Sequence, residues 1–178
     1  TNAHIRRECA QALYNLSCMV GSEAQEVAHG VPAALTIVAL FRADDGLTKD
    51  LCAAALFNLM YDPAGRQQLL DDGVLWAFIK LALAGTTTRT VEDGCTPPKA
   101  DTAETCTRLI RNLSCDDEMC RHTIEKRTLA ALSKFAPSAN PTTRLNCAIT
   151  LCEITRRQHL HEAAVDRGIM TVLVKLAN

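Results

Sequence analysis

At 178 residues the chain is long enough for one domain with a sizeable core, and 48% of it is apolar although only 4% is aromatic. Its 19 basic and 20 acidic residues balance to a net charge of −1, which excludes bulk attraction to nucleic acid or to an anionic membrane. The longest apolar run, residues 31–41, is broken by Pro32 and Thr36 and falls short of the roughly 20 residues that a membrane span needs.

The first predicted element is a long amphipathic helix at residues 4–18, HIRRECAQALYNLSC, on which Cys9, Leu13 and Leu16 share one stripe. A short helix follows at 22–29, where Ser22 and Gln25 have the form of a capping box. After Gly30 comes an apolar helix at 31–41, with Pro32 suited to a first turn. The order then repeats. A long helix is expected at 47–61, a short one at 63–70 behind the Asp62-Pro63 cap, a break at 71–73, and an apolar helix at 74–84. Residues 85–99, GTTTRTVEDGCTPPK, read as a loop rich in Gly, Thr and Pro, and one this long is functional or disordered. Its Thr residues are candidate phosphorylation sites and Cys95 the expected exposed thiol. A turn at 136–141 precedes a last set of helices at 142–157, 159–166 and 169–177. Gly30, Gly73 and Gly168 hold one place in the pattern, where glycine allows a left-handed helix end. The third set has Arg127 there, so a different break is expected.

The six-residue stretch ALYNLS at 12–17 returns as ALFNLM at 55–60, as LIRNLS at 109–114 and faintly as TLCEIT at 150–155. Asn15, Asn58, Asn112 and Glu153 mark a period near 42 residues with one insertion. A period of this size marks a stacked array, in which each copy covers an apolar face that a single copy cannot bury. Units are drawn at 1–18, 19–61, 62–115 with the loop at 85–99, 116–157 and 158–178. The chain opens without Met and inside a helical pattern, as expected of one stretch of a longer array.

AL-x-NLS on a long third helix, a Gly between two shorter helices and a period near 42 resemble the armadillo repeat. HEAT repeats are the near neighbour, but usually have two helices per unit. The resemblance implies an all-α fold, a right-handed superhelical solenoid of three-helix repeats. It also implies a protein-binding scaffold or adaptor, whose third helices line a concave groove for an extended partner segment. The motif Asn typically bonds the partner backbone, which implicates Asn15, Asn58 and Asn112; Glu153 interrupts the ladder. The alternative is that Asn ties adjacent helices together. Helical spacing at offsets −8, −4, −1 and +3 adds Arg7, Gln11, Tyr14 and Cys18; Asp50, Ala54, Phe57 and Tyr61; Glu104, Arg108, Arg111 and Cys115; and Leu145, Ile149, Cys152 and Arg156. This face is aromatic at Tyr14, Phe57 and Tyr61 and basic at Arg108, Arg111 and Arg156. It suits a segment with an apolar anchor and acidic or phosphorylated residues. The bland reading is a solvated helix face. Armadillo-type nuclear import adaptors carry Trp four residues before the Asn; here Gln11, Ala54, Arg108 and Ile149 stand there and Trp76 lies elsewhere, which argues against a receptor for basic signals.

Cys9, Cys52, Cys106 and Cys147 each precede the motif position by six residues and read as packing residues. Cys115, Cys120 and His122 lack the second pair a zinc site needs. No cofactor, metal or catalytic set is expected. Asn15-Leu16-Ser17 and Asn112-Leu113-Ser114 match the glycosylation sequon, yet both fall in packed helices. His4 and His29 read as surface residues. Nine cysteines without a secretory signal suggest a reducing, cytoplasmic setting. The alternatives are a structural module of an axoneme or junctional complex, and a regulatory array attached to a catalytic domain.

Overall fold

The computed structural model describes residues 3–18, 46–61, 63–84 and 101–177. The short helix expected at 22–29, Gly30, the apolar helix at 31–41, the Asp62 cap and the loop at 85–99 with Cys95 lie outside the described residues. Among the described residues the structure is helical throughout. The helices are α1 (Ala3–Ser17), α2 (Gly46–Tyr61), α3 (Pro63–Asp71), α4 (Val74–Ala84), α5 (Thr102–Cys115), α6 (Cys120–Thr123), α7 (Lys126–Phe135), α8 (Pro141–Thr155), α9 (His161–Asp166) and α10 (Ile169–Ala177), with a 3-10 turn at Gln158–Leu160 before α9. The chain divides into two compact units, residues 1–105 and 106–178.

In the first unit, α2 is the centre. It packs on α1 on one flank and on α3 and α4 on another. Leu51, Cys52, Ala53, Ala55, Leu56, Leu59 and Met60 are all buried. Small residues at 52, 53 and 55 let the neighbouring helices approach closely, and Leu56 and Leu59 fill the space between them. Phe78, Ile79, Leu81 and Ala82 of α4 complete this core.

The second unit follows the same scheme. Cys106, Leu109, Ile110 and Leu113 of α5, Leu132 and Phe135 of α7, Cys147, Leu151 and Ile154 of α8 and Val172 of α10 are buried. α10 lies against α7 and α8, and α9 against α10. The turn before α8 ends in a helix cap. The Asn140 side chain accepts from the Thr142 and Thr143 backbone N–H groups at 2.9 and 3.3 Å, and Pro141 occupies the first helical turn.

Gly73 and Gly168 adopt φ of 77° and 97°, the left-handed conformation expected of them. At Arg127 the expected difference is present. The break falls two residues earlier, at Ile124 (φ −88°) and Glu125 (φ −57°, ψ 141°), so no left-handed residue is needed and Arg127 lies inside α7. The cysteine stripe requires one correction. Cys52, Cys106 and Cys147 are buried, but Cys9 is exposed, as is Leu16. α1 buries Ala10 and Ser17 instead, one residue round the helix from the expected stripe. These two share a face seven residues apart, and that is the face α2 covers.

A Cβ at Gly73 or Gly168 would meet nothing within 4 Å, so its cost is backbone strain alone. Gly73→Ala and Gly168→Ala should each lower stability by roughly 1–2 kcal/mol in urea titration, and Asn at either position by less.

Candidate functional site

The sequence places its candidate residues on the long helices, which fall in the two units. In the first unit Tyr14 and Asn15 sit on α1, and Phe57, Asn58 and Tyr61 on α2. Phe57 and Tyr61 stack one helical turn apart, ring centroids 5.8 Å apart and planes inclined by 24°. Tyr61 is exposed, while Phe57 and Tyr14 are half-buried. The three motif residues are not equivalent. Asn15 accepts a bond from Gln11 Nε2 at 2.9 Å within its own helix. Asn58 reaches across to α1, its Nδ2 donating to Ser17 Oγ at 3.1 Å and to Cys18 Sγ at 3.4 Å. Ser17 Oγ in turn donates to the Tyr14 carbonyl at 2.7 Å. Asn58 therefore has the helix-tying role that stood as the alternative. A hydrogen bond with Cys18, the nearby Cys18 charge and partial burial hold the Tyr14 hydroxyl above the usual phenol value. Asp50, placed on the same face by its offset, accepts from Thr102 Oγ1 at 2.8 Å and is a tie as well.

In the second unit Arg108, Arg111 and Asn112 lie on α5, and Arg156 follows α8. Arg111 is held in place. Its Nη1 donates to Asn146 Oδ1 at 3.3 Å and its Nη2 to Asn112 Oδ1 at 3.4 Å. Asn146, buried on α8, donates from Nδ2 to Thr107 Oγ1 at 3.3 Å. Arg108, Arg111 and Asn112 are half-buried. Arg156 projects into solvent with its Nη1 3.0 Å from Glu153 Oε1.

Sequence reasoning passed over Arg157. Its side chain is largely covered, although it lies just past the end of α8. Nε donates to Asp117 Oδ1 at 2.7 Å, Nη1 to the Glu153 carbonyl at 2.6 Å and Nη2 to the Cys115 carbonyl at 3.2 Å. Glu153 stands where the other repeats have Asn, and here Arg157 makes the cross-helix tie that Asn58 makes in the first unit. The signal was a charge at the end of a predicted helix, which alone does not separate a covered fork from a solvated one. Arg66 donates to the carbonyls of Met60 and Tyr61 at 2.9 and 2.6 Å, and a His161 ring nitrogen lies 2.6 Å from the Thr155 carbonyl. Both satisfy carbonyls that the end of a long helix leaves open.

The segment CDDEMCRH is spent on structure. Asp116 Oδ1 accepts from the backbone N–H groups of Glu118 and Met119, Asp117 holds Arg157, and buried Cys120 lies 3.6 Å from Thr123 Oγ1. Among the described residues no three His, Cys, Asp or Glu converge as metal ligands. Within both sequons the Ser hydroxyl is buried and donates to its own helix, Ser17 to the Tyr14 carbonyl and Ser114 to the Arg111 carbonyl, each at 2.7 Å. Burial pushes the Cys52 and Cys147 thiols up to about 12 and raises Cys106 further, with Cys147 beside it adding to the shift.

No family model matches the sequence, and no curated protein matches it closely enough to count as a relative. Solved structures do match. Two engineered proteins known from crystal structures share 18% and 21% identity with it. They match over 99% and 100% of this chain and 73% and 68% of their own, with TM-scores of 0.67 and 0.69. A designed armadillo repeat protein shares 18% identity over 97% of this chain and 68% of its own, with a TM-score of 0.65. The fold is an armadillo-like helical repeat. At these identities the likeness speaks for the backbone arrangement alone.

Two outcomes follow. Arg157→Ala should destabilise the protein by on the order of 2 kcal/mol in denaturant titration, because Asp117 and two carbonyls lose a charged donor, and Arg157→Lys should restore only part of that loss. The buried thiols ionise less readily folded than unfolded. Their stabilisation is complete below their ordinary value of 9 and lost as pH rises toward about 12. The urea midpoint should therefore fall across that interval, and Cys52→Ser with Cys147→Ser should flatten the fall.

Proposed function

We propose that the chain is a protein-binding scaffold that takes an extended partner segment along the exposed face of its long helices. Armadillo-like repeats commonly mediate protein binding. The observation that carries the reading here is the aromatic pair on α2. Tyr61 is 61% exposed yet held in a fixed stack on Phe57. An ordered aromatic open to solvent loses little conformational freedom on binding and has an amphipathic surface to offer. Tyr14 and the Asn15 amide lie on α1, which packs against the same helix. On the second unit, Arg156 is 70% exposed, and Arg111 is already oriented by Asn112 and Asn146. Arg108 lies one helical turn before Asn112. An acidic or phosphorylated stretch of the partner would meet these guanidinium groups. Asn58 and Asn112 would contribute only the hydrogen-bonding capacity their internal bonds leave. The described cysteines are all free thiols, which supports a reducing, cytoplasmic setting. No described helix is long and apolar enough to cross a membrane.

Substitutions at Asn58 or Arg111 would also loosen the helices, so the test uses exposed positions. Affinity capture from cell extract with the 178-residue chain should retain a partner that the Tyr61→Ser and Arg156→Ser double variant loses, while Lys134→Ser keeps it. The loss should be about tenfold or more in Kd. A partner held equally by all three chains would move binding off this face.

A further inference from the structure

Within the second unit, α10 lies on α7, one repeat earlier in the chain, and this interface has a regular register. Three cations each donate to a carbonyl about one repeat length back in the chain. Arg157 Nη2 reaches Cys115, 42 residues back, Arg167 Nη1 reaches Ile124, 43 back, and Lys175 Nζ reaches Ser133, 42 back, at 3.2, 3.4 and 3.2 Å. Around these ties Ile124, Leu129, Leu132 and Ser133 are buried. The matching residues of the first unit, Leu70, Leu75, Phe78 and Ile79, are buried as well.

The step from Asn112 to Glu153 carries Ile124, Leu129, Leu132 and Ser133 onto Val165, Met170, Leu173 and Val174. Those four side chains are 55%, 55%, 38% and 58% exposed. Leu145, on the neighbouring α8, is exposed too. The last repeat thus exposes aliphatic residues at the positions that the repeat before it buries. A repeat made to face water carries polar residues at such positions.

We propose that the α9–α10 end of the second unit is a stacking surface for a further helical repeat of the same kind. The occupant lays an apolar helix face over Val165, Met170, Leu173 and Val174. It also donates Arg or Lys side chains to the carbonyls of Arg156, Val165 and Val174, the positions one step on from Cys115, Ile124 and Ser133. The α7–α10 interface supplies both halves of this chemistry: the surface continues it at the same register, and Arg167 and Lys175 reach back from the later helices to carbonyls of the earlier ones.

The test extends the 178-residue chain after Asn178 with a second copy of its own residues 138–178, which places Arg157, Arg167 and Lys175 of the copy in phase. Growth of the helical circular dichroism signal shows that the added copy folds. In the extended chain, Val174→Cys should react with a maleimide at least about tenfold more slowly than in the original. Met170→Glu with Val174→Glu should shift the unfolding equilibrium of the original chain by less than roughly threefold, and that of the extended chain by roughly tenfold or more. Equal labelling rates and equal shifts in the two chains overturn the proposal. So does a concentration-dependent dimer of the original chain, seen by light scattering and abolished by the two glutamates, because the occupant is then a second copy.

Discussion

Side chains of one repeat complete the hydrogen bonding of the repeat before it, and the stacking of this protein depends on that. A long helix ends with carbonyls that have no partner in the helix, and its flanks carry apolar residues that only a neighbour can cover. The cross-repeat bonds state the period directly. Asn58 to Ser17 spans 41 residues, Asn146 to Thr107 spans 39, and Lys175 to Ser133 spans 42. Thr102 to Asp50 spans 52, because the 85–99 segment intervenes. Apolar burial supplies most of the driving force, and these bonds hold each helix at one register along its neighbour.

The same joint is built in two ways. Asn58 uses a neutral amide to reach a Ser hydroxyl that is anchored on its own helix. Where the motif has Glu153, Arg157 spreads one guanidinium over Asp117, the Glu153 carbonyl and the Cys115 carbonyl. A planar fork has five N–H donors and a fixed charge, so it serves more acceptors at once than the two donors of an amide, and each more strongly. The departure from the motif is therefore a different solution to one geometric need. It also accounts for the placement of Arg156, which shares Glu153 with Arg157 but is left to face solvent.

The candidate binding face is what remains once these ties are made. Several residues that share the face by helical spacing are partly committed inward. Asp50 holds Thr102, Asn58 holds α1, and Arg111 is locked between two amides. The side chains most open to solvent on it are fewer: Tyr61, stacked on Phe57, and Arg156.

The sequence by itself determined the period, the limits of α1 to α4 and of α8 to α10 to within one or two residues, the left-handed ends at Gly73 and Gly168 and the altered break near Arg127. All of these follow from interactions within about one helical turn or from a pattern repeated along the chain. The tertiary structure alone decided which polar residue faces a neighbour and which faces water. Cys9 and Cys52 hold the same register, yet only Cys52 is buried, because α1 turns Ala10 and Ser17 toward α2. Asn15 and Asn58 are the same motif residue, yet only Asn58 crosses to another helix. Arg156 and Arg157 are adjacent, and one is solvated while the other is a largely covered clasp. Each of these outcomes is set by a group some 40 residues away, and helical spacing holds no information about it.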